Sequence, residues 1–285
     1  MMLNDYLLMA HDRKYAIGHF NFSTADVLKA IIEGAQAGGA PAVMVGTSEG
    51  EAEFAGMREV AALVQVIRKE LEFPVFLNAD HFKSFDKCKE AIDAGYDSVL
   101  IDASKFSYED NIAITKQVVD YARSTGRQIS VEGELGYLRG SSEVQKKIEI
   151  SADDYTKPEQ AADFVAKTGV DRLAVVFGNI HGIVTEQEER LDIGHFQKIV
   201  AATPSAYFIL HGASGLSDAD VSAAIKAGIV NVHFNTELRV AYQHALKKEF
   251  QEQPDETTPY KYLAVADKAV EELVKSKCIL FMRQE

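Results

Sequence analysis

The sequence predicts an α/β fold whose eight parallel strands close into a (β/α)8 barrel, and three observations predict it. Apolar, β-rich runs alternate with longer stretches of helical period eight times along the chain. The runs are nearly continuously apolar, as in a parallel sheet buried on both faces. The length of 285 residues suits a closed barrel, which typically takes about 250 residues. No stretch has linker composition, so 1–285 reads as one domain.

An amphipathic start, Leu3 to Arg13, precedes the first strand. Strands are expected at 15–20, 41–46, 74–80, 97–102, 128–134, 172–178, 206–211 and 229–235. Helices are expected near 24–38, 54–71, 84–94, 107–125, 158–168, 192–201, 217–227 and 236–250, several opening on a cap residue such as Ser84, Ser107 or Ser217. Gly38-Gly39, Gly95, Gly126, Gly169 and Gly228 close helices just ahead of strands, as left-handed caps do. A further helix near 260–276, after the polar stretch Glu249 to Pro259, reads as a mobile or subunit-contacting tail. The rhythm breaks once, at the long polar connection 136–157 with Gly136, Gly140, Ser141 and Ser142. Long βα connections on a barrel commonly serve as lids or catalytic loops.

Composition narrows the function. A formal charge of −13 disfavours a nucleic-acid or anionic-membrane partner, which would select a basic face. Cys88 and Cys278 are too few and too far apart for a disulfide framework. No apolar run approaches the roughly 20 residues of a membrane span. With no signal-peptide pattern at the start, the expected location is the cytoplasm.

The chemistry concentrates where strands end. Asp80-His81, Asp102, Glu132 and Glu134, His181-Gly182, His211 and Asn235-Thr236 all fall at the C-terminal ends of the third to eighth strands or just after them. In a barrel these positions form one face, where reactive groups gather. A single histidine at a strand end is ordinarily structural; three at equivalent positions, each beside Gly or an acid, point to a divalent metal with an open coordination position. His11, His19, His195 and His244 lie at ordinary positions and stay unassigned. Gly182, Gly212-Ala213-Ser214-Gly215 and Asn235-Thr236 would offer backbone N–H groups, hydroxyls and helix N-termini to a phosphate. A metal that polarises a carbonyl, a carboxylate beside it and a phosphate pocket suit proton transfer or carbon–carbon cleavage next to a carbonyl.

These motifs resemble the class II, metal-dependent ketose-bisphosphate aldolases, the family of fructose- and tagatose-bisphosphate aldolases. The similarity runs from Tyr15-Ala16-Ile17-Gly18-His19-Phe20-Asn21 through Asp80-His81, Ser98 to Ser104, Val131 to Gly136, Gly178-Asn179-Ile180-His181-Gly182 and Leu210 to Gly215, and ends at Asn235-Thr236-Glu237-Leu238-Arg239. The resemblance implies a catalytic zinc on His81, His181 and His211, with Asp80 as the acid/base at the C4 hydroxyl. Asp102 and Glu134 would serve a second or alternative metal position. Asn21, Gly182, Gly212, Ala213, Ser214, Asn235 and Thr236 would hold substrate, chiefly its dihydroxyacetone phosphate part, with a monovalent cation nearby in some members. Arg239 would reach a distal phosphate, and a homodimer or homotetramer is implied.

The departures fall in the site. The usual His-Leu-Asp-His-Gly run reads Asn78-Ala79-Asp80-His81-Phe82, and Lys105 replaces a common His. The loop carboxylate that moves the enediolate proton is absent in register, where Arg139-Gly140-Ser141-Ser142-Glu143 stands, and Glu143 is its nearest replacement. His233 occupies the family's Asn position on strand eight and would change a substrate contact or add a metal-facing imidazole, and Asn235 stands where fructose-specific members often carry Asp. Three functions therefore compete: an aldolase on a phosphorylated ketose, a divergent lyase or isomerase on another sugar phosphate, and a weakly catalytic sugar-phosphate-binding subunit.

Overall fold

The computed structural model describes residues 1–136 and 138–283. Eight parallel strands form a closed barrel whose neighbours follow chain order: β1 (Ile17–Asn21), β2 (Val43–Thr47), β3 (Val75–Phe82), β4 (Ser98–Ile101), β5 (Ser130–Leu135), β7 (Arg172–Val175), β9 (Tyr207–Leu210) and β10 (Ile229–Phe234), with β10 returning to β1. The helices between them are α2 (Ala25–Ala37), α3 (Glu49–Ala55), α4 (Met57–Leu71), α5 (Phe85–Ala94), α6 (Tyr108–Ser124), α7 (Pro158–Thr168), α8 (Ile193–Ala202), α9 (Asp218–Ala227) and α10 (Thr236–Glu252). The predicted (β/α)8 architecture is thus observed.

The caps follow local chemistry. Ser84, Ser107 and Ser217 each accept a hydrogen bond from the backbone N–H three residues on. Of the predicted C-terminal glycines, Gly95, Gly126, Gly169 and Gly228 take positive φ, while Gly38 stays right-handed and Gly39 makes the left-handed turn. The helix expected over 54–71 is two, because Gly56 at φ 82° ends α3 and begins α4.

Two expectations need correction. The 136–157 connection contains a strand: β6 (Gly140–Gln145) pairs in parallel with β8 (His181–Val184), forming a second, two-stranded sheet beside the barrel mouth. Its pairing partner lies about forty residues away, and its outward face is polar and exposed, so neither apolar alternation nor a hairpin signal marks it. The C-terminal helix is no mobile tail. As α11 (Pro259–Met282) it buries Ala266, Val270, Val274, Cys278 and Phe281 along one stripe against α2 and α10. Glycines allow the approach: a Cβ at Gly34 would stand 2.5 Å from the Glu271 carbonyl oxygen.

The main apolar core lies between strands and helices, and a second cluster closes the N-terminal end. There α1 (Leu3–Arg13) sets Leu3, Leu7 and Ala10 with Ile17, Met44, Phe76, Ile209 and Val230. The barrel interior departs from the usual layers of branched apolar residues. Register sets His19 beside His233, Asn78 beside Ser98, Ser98 beside Ser130 and Glu132 beside Arg172, so a buried polar layer lies beneath the mouth. Among the described residues, no helix is long and apolar enough to cross a membrane.

Candidate active site

Consecutive residues of a regular strand point to opposite faces, yet Asp80 and His81 both reach the mouth. The reason is local. His81 takes a φ of 53° and the register against β4 shifts between Ala79 and Phe82, so the backbone turns at the end of β3 and presents both side chains. A left-handed non-glycine residue costs on the order of 1–3 kcal/mol and persists only where its surroundings hold it. Here His81 Nε2 lies 3.0 Å from His211 Nδ1, while His81 Nδ1 lies 3.3 Å from Asp102 and 3.1 Å from Glu134.

Asn179 joins the other two histidine segments. Its amide donates to the carbonyl of His211 at 3.1 Å, and its side-chain oxygen accepts from the Phe177 N–H at 2.9 Å. Gly212 completes the approach, because a Cβ there would overlap the Ile180 carbonyl oxygen. The three rings meet edge to face, His81 lying 4.7 Å from His181 and 4.6 Å from His211 between centroids.

The histidines differ in charge. Burial, then His81 and His211 nearby, pushes His181 down to about 3. Burial opposes protonation of His81 too, but Asp80 and Glu134 outweigh it and raise the imidazole well above its usual range. Burial lifts the Glu134 carboxyl, and Asp102 lifts it further.

The donor set fits a divalent metal. His181 Nε2 is buried without a hydrogen-bond partner, and one nitrogen from each of the three histidines falls within 4.8 Å of the others. The remaining nitrogens of His81 and His211 rest on Asp102, Glu134 and Glu132, the carboxylate backing that orients metal-binding imidazoles. Asp102 and Glu134 also group with His81 within 4.8 Å, where a second position would lie.

Asp80 stands against the histidine cluster. Asn21 donates to its Oδ2 at 2.9 Å, and His233 Nδ1 lies 3.3 Å from its Oδ1. Burial opposes ionisation of Asp80, but His81 most of all, then His233 and His19, hold the carboxyl well below the usual range. His233 stacks on His19 with centroids 3.7 Å apart and meets Asn231 at 2.9 Å through Nε2. Burial and then His211 hold His233 well below its ordinary range, so it is a neutral imidazole.

The expected phosphate-binding residues converge. Gly182, Gly212, Ser214, Asn235 and Thr236 line a small pocket with Asn21, Asp80 and the three histidines, while Ala213 is buried behind it. Ser214 Oγ accepts from the Glu237 N–H, and Glu237 accepts from the Gly215 N–H, so the two turns brace each other at the start of α10. Lys277 of α11 pairs with Glu237 at 3.0 Å, tying the C-terminal helix to the site. Beside this pocket opens a cavity of about 470 Å³ lined by Asp80, Asp102, Glu134, Lys105, Ser142 and Arg239, among others. Arg239 donates to the Ser142 carbonyl oxygen and so holds β6 at the rim.

Glu143 does not join this group. It is exposed on β6 in an outer groove with Val144, Val240 and Gln243, a groove that shares Ser142 and Thr236 with the pocket but none of the histidines. The register of β6 against β8 shifts between Gly140 and Val144, and both Glu143 and Val144 are left exposed while Ser142 is half-buried. Sequence reasoning missed Glu51, which lines the cavity and holds Asn21 at 3.0 Å. The Ser48-x-x-Glu51 capping box behind β2 was a usable signal. Asn78, Arg172 and His19 carried none, since a polar residue within an apolar run does not announce which strand it meets across a barrel.

The chain is similar to known proteins along its whole length. The family described as Fructose-bisphosphate aldolase class-II matches residues 1–285. A fructose-bisphosphate aldolase of Staphylococcus epidermidis is 36% identical over 280 residues, covering 96% of this chain and 94% of its own. Among solved structures, the YdjI aldolase of Escherichia coli superimposes with a TM-score of 0.84 at 33% identity, covering 98% of this chain and 96% of that one. A putative fructose-1,6-bisphosphate aldolase from Coccidioides immitis shares the fold with a TM-score of 0.84 at 24% identity, covering 98% and 95%.

Proposed function

We propose, from the premise that the chain belongs to the class II fructose-bisphosphate aldolase family and is a carbon–carbon lyase, that it is a zinc-dependent aldolase. It reversibly cleaves a phosphorylated ketose of the fructose- or tagatose-1,6-bisphosphate kind to dihydroxyacetone phosphate and an aldehyde. The observation that carries this reading is the convergence of His81, His181 and His211 beside Asp80 at the C-terminal mouth of the barrel. The three histidines would hold the ion, with Asp102 and Glu134 at a second position. When bound, a divalent ion supplies Lewis-acid stabilisation of negative charge on the substrate carbonyl oxygen.

The chain's own residues supply the rest. Gly182, Gly212, Ala213, Ser214 and Thr236 hold the phosphate of the dihydroxyacetone part through backbone N–H groups, hydroxyls and the α10 N-terminus. Asn21 and Asn235 bind hydroxyls, and Arg239 faces the distal phosphate. Asp80, held ionised and oriented by Asn21, takes the C4 hydroxyl proton. The C3–C4 bond breaks, its electron pair remains on the C3 fragment as an enediolate, and a proton then returns to C3 from water at the mouth. The exposed position of Glu143 favours water over that carboxylate. We further read the chain as one domain and a cytoplasmic homodimer or homotetramer.

His233 favours a second reading within the same chemistry. A neutral imidazole beside Asp80 alters the hydroxyl-binding wall, which suits a sugar phosphate of different stereochemistry or length. Cleavage of fructose and tagatose 1,6-bisphosphates, each coupled to triose-phosphate reduction, is the deciding assay. We expect turnover that vanishes with a chelator and returns with zinc. Turnover that persists without metal refutes the zinc reading, and zinc-dependent turnover on neither bisphosphate favours the second.

A further inference from the structure

Arg172 opens β7 and is fully buried inside the barrel. Its guanidinium reaches three side chains on two other strands, β5 and β3: Nη1 pairs with Glu132 Oε2 at 2.7 Å, Nε donates to Ser130 Oγ at 3.1 Å, and Nη2 donates to Asn78 Oδ1 at 3.1 Å. The contact with Asn78 crosses the barrel interior, since β3 and β7 are not neighbours. A guanidinium has donors only, so it selects the acceptor end of every group it faces.

That selection propagates to His211. With Oε2 turned to Arg172, Glu132 meets His211 Nε2 through Oε1 at 2.7 Å. A carboxylate only accepts, so the hydrogen of His211 sits on Nε2. Its Nδ1 is then left as a lone pair facing His81 Nε2 at 3.0 Å. Asp102 and Glu134 face His81 from its Nδ1 side, which leaves its Nε2 turned toward His211. His211 Nδ1, with a nitrogen of His81 and the unpartnered His181 Nε2, belongs to a set of donors within 4.8 Å of one another, close enough to share one ion.

We propose that Arg172 is a positioning residue: by orienting Glu132 it fixes the tautomer and ring direction of His211 for divalent metal binding. The inference rests on the metal site proposed above. A purely space-filling role for the arginine makes different predictions, because an amide in place of Glu132 has both a donor and an acceptor end. In Glu132→Gln, Arg172 draws the amide oxygen to itself and turns the NH2 group to His211 Nε2. The imidazole hydrogen then moves to Nδ1 and blocks the ligand atom. Adding Arg172→Met frees the amide to turn its oxygen back to His211.

The test measures zinc affinity by competition with a chromophoric chelator and the visible absorption of the cobalt-substituted protein. Glu132→Gln should bind zinc about 100-fold more weakly and the double variant should recover about tenfold, the scale on which groups behind a ligand act. Arg172→Lys, which keeps the buried charge and guards against a double variant that does not fold, should bind about tenfold more weakly with a shifted cobalt spectrum. Parent-like affinity in Glu132→Gln, no recovery in a folded double variant, or an unchanged Arg172→Lys each overturns the role of Arg172. A parent whose cobalt spectrum is absent, or survives His181→Ala, overturns the metal site itself and the inference with it.

Discussion

Asp80 is held by Asn21 at Oδ2, with His233 Nδ1 3.3 Å from its Oδ1, and none of the histidines proposed as ligands depends on it for a hydrogen bond. Asp80→Ala should therefore keep its zinc while kcat falls about 10²-fold or more, the usual size of an acid/base contribution; loss of zinc with the residual rate intact would reverse that division of roles. Glu189 makes a different point. Its carboxylate is buried against Gly215, and burial, only partly offset by the Val184 N–H, raises it from 4.5 to about 7. A carboxyl raised in the folded state favours folding below its unfolded pKa and loses that contribution as pH rises through the folded value. Glu189→Gln should thus gain stability over the parent by on the order of 1–3 kcal/mol at pH 8 relative to pH 5, measured by urea denaturation at both pH values. An equal difference at the two pH values would refute the assignment.

Elements decide how much of the chain serves the site. α11 anchors on α2 through glycine-sized gaps and reaches the turns at Gly215 and the start of α10 through Lys277 and Glu237. Gly34→Ala puts a methyl group against the Glu271 backbone, so it should cost about 1–3 kcal/mol and lower the melting temperature. An unchanged melting curve would mean that the α2–α11 contact gives way freely. Strands and helices of the barrel were legible because burial imposes a period on each of them. The β6–β8 sheet was not, because two short strands far apart in sequence share backbone hydrogen bonds that no side-chain pattern encodes. The same blindness bears on Glu143: its candidacy rested on a loop, and on the irregular strand β6 it is exposed while Ser142 lines the pocket.

At the scale of the molecule, the proposed metal site would couple zinc binding to folding. A site built from β3, β8 and the end of β9 exists only in the closed barrel, so zinc at 100 times its dissociation constant should stabilise the fold by about 2.7 kcal/mol. Chelation should accordingly lower the melting temperature by several degrees, and His181→Ala should abolish that response; a chelator-sensitive melt that survives the substitution would place the ion elsewhere. By itself the sequence determined the barrel, the three histidines with Asp80, and the glycine turns that gather at Ser214 and Thr236, because each depends on local periodicity, strand ends and backbone freedom. Only the tertiary structure decided what stands behind them. The left-handed turn at His81, the His19–His233 stack and the Arg172–Glu132–His211 chain depend on which strands face one another across the barrel, a relation set by closure and absent from any local stretch of residues.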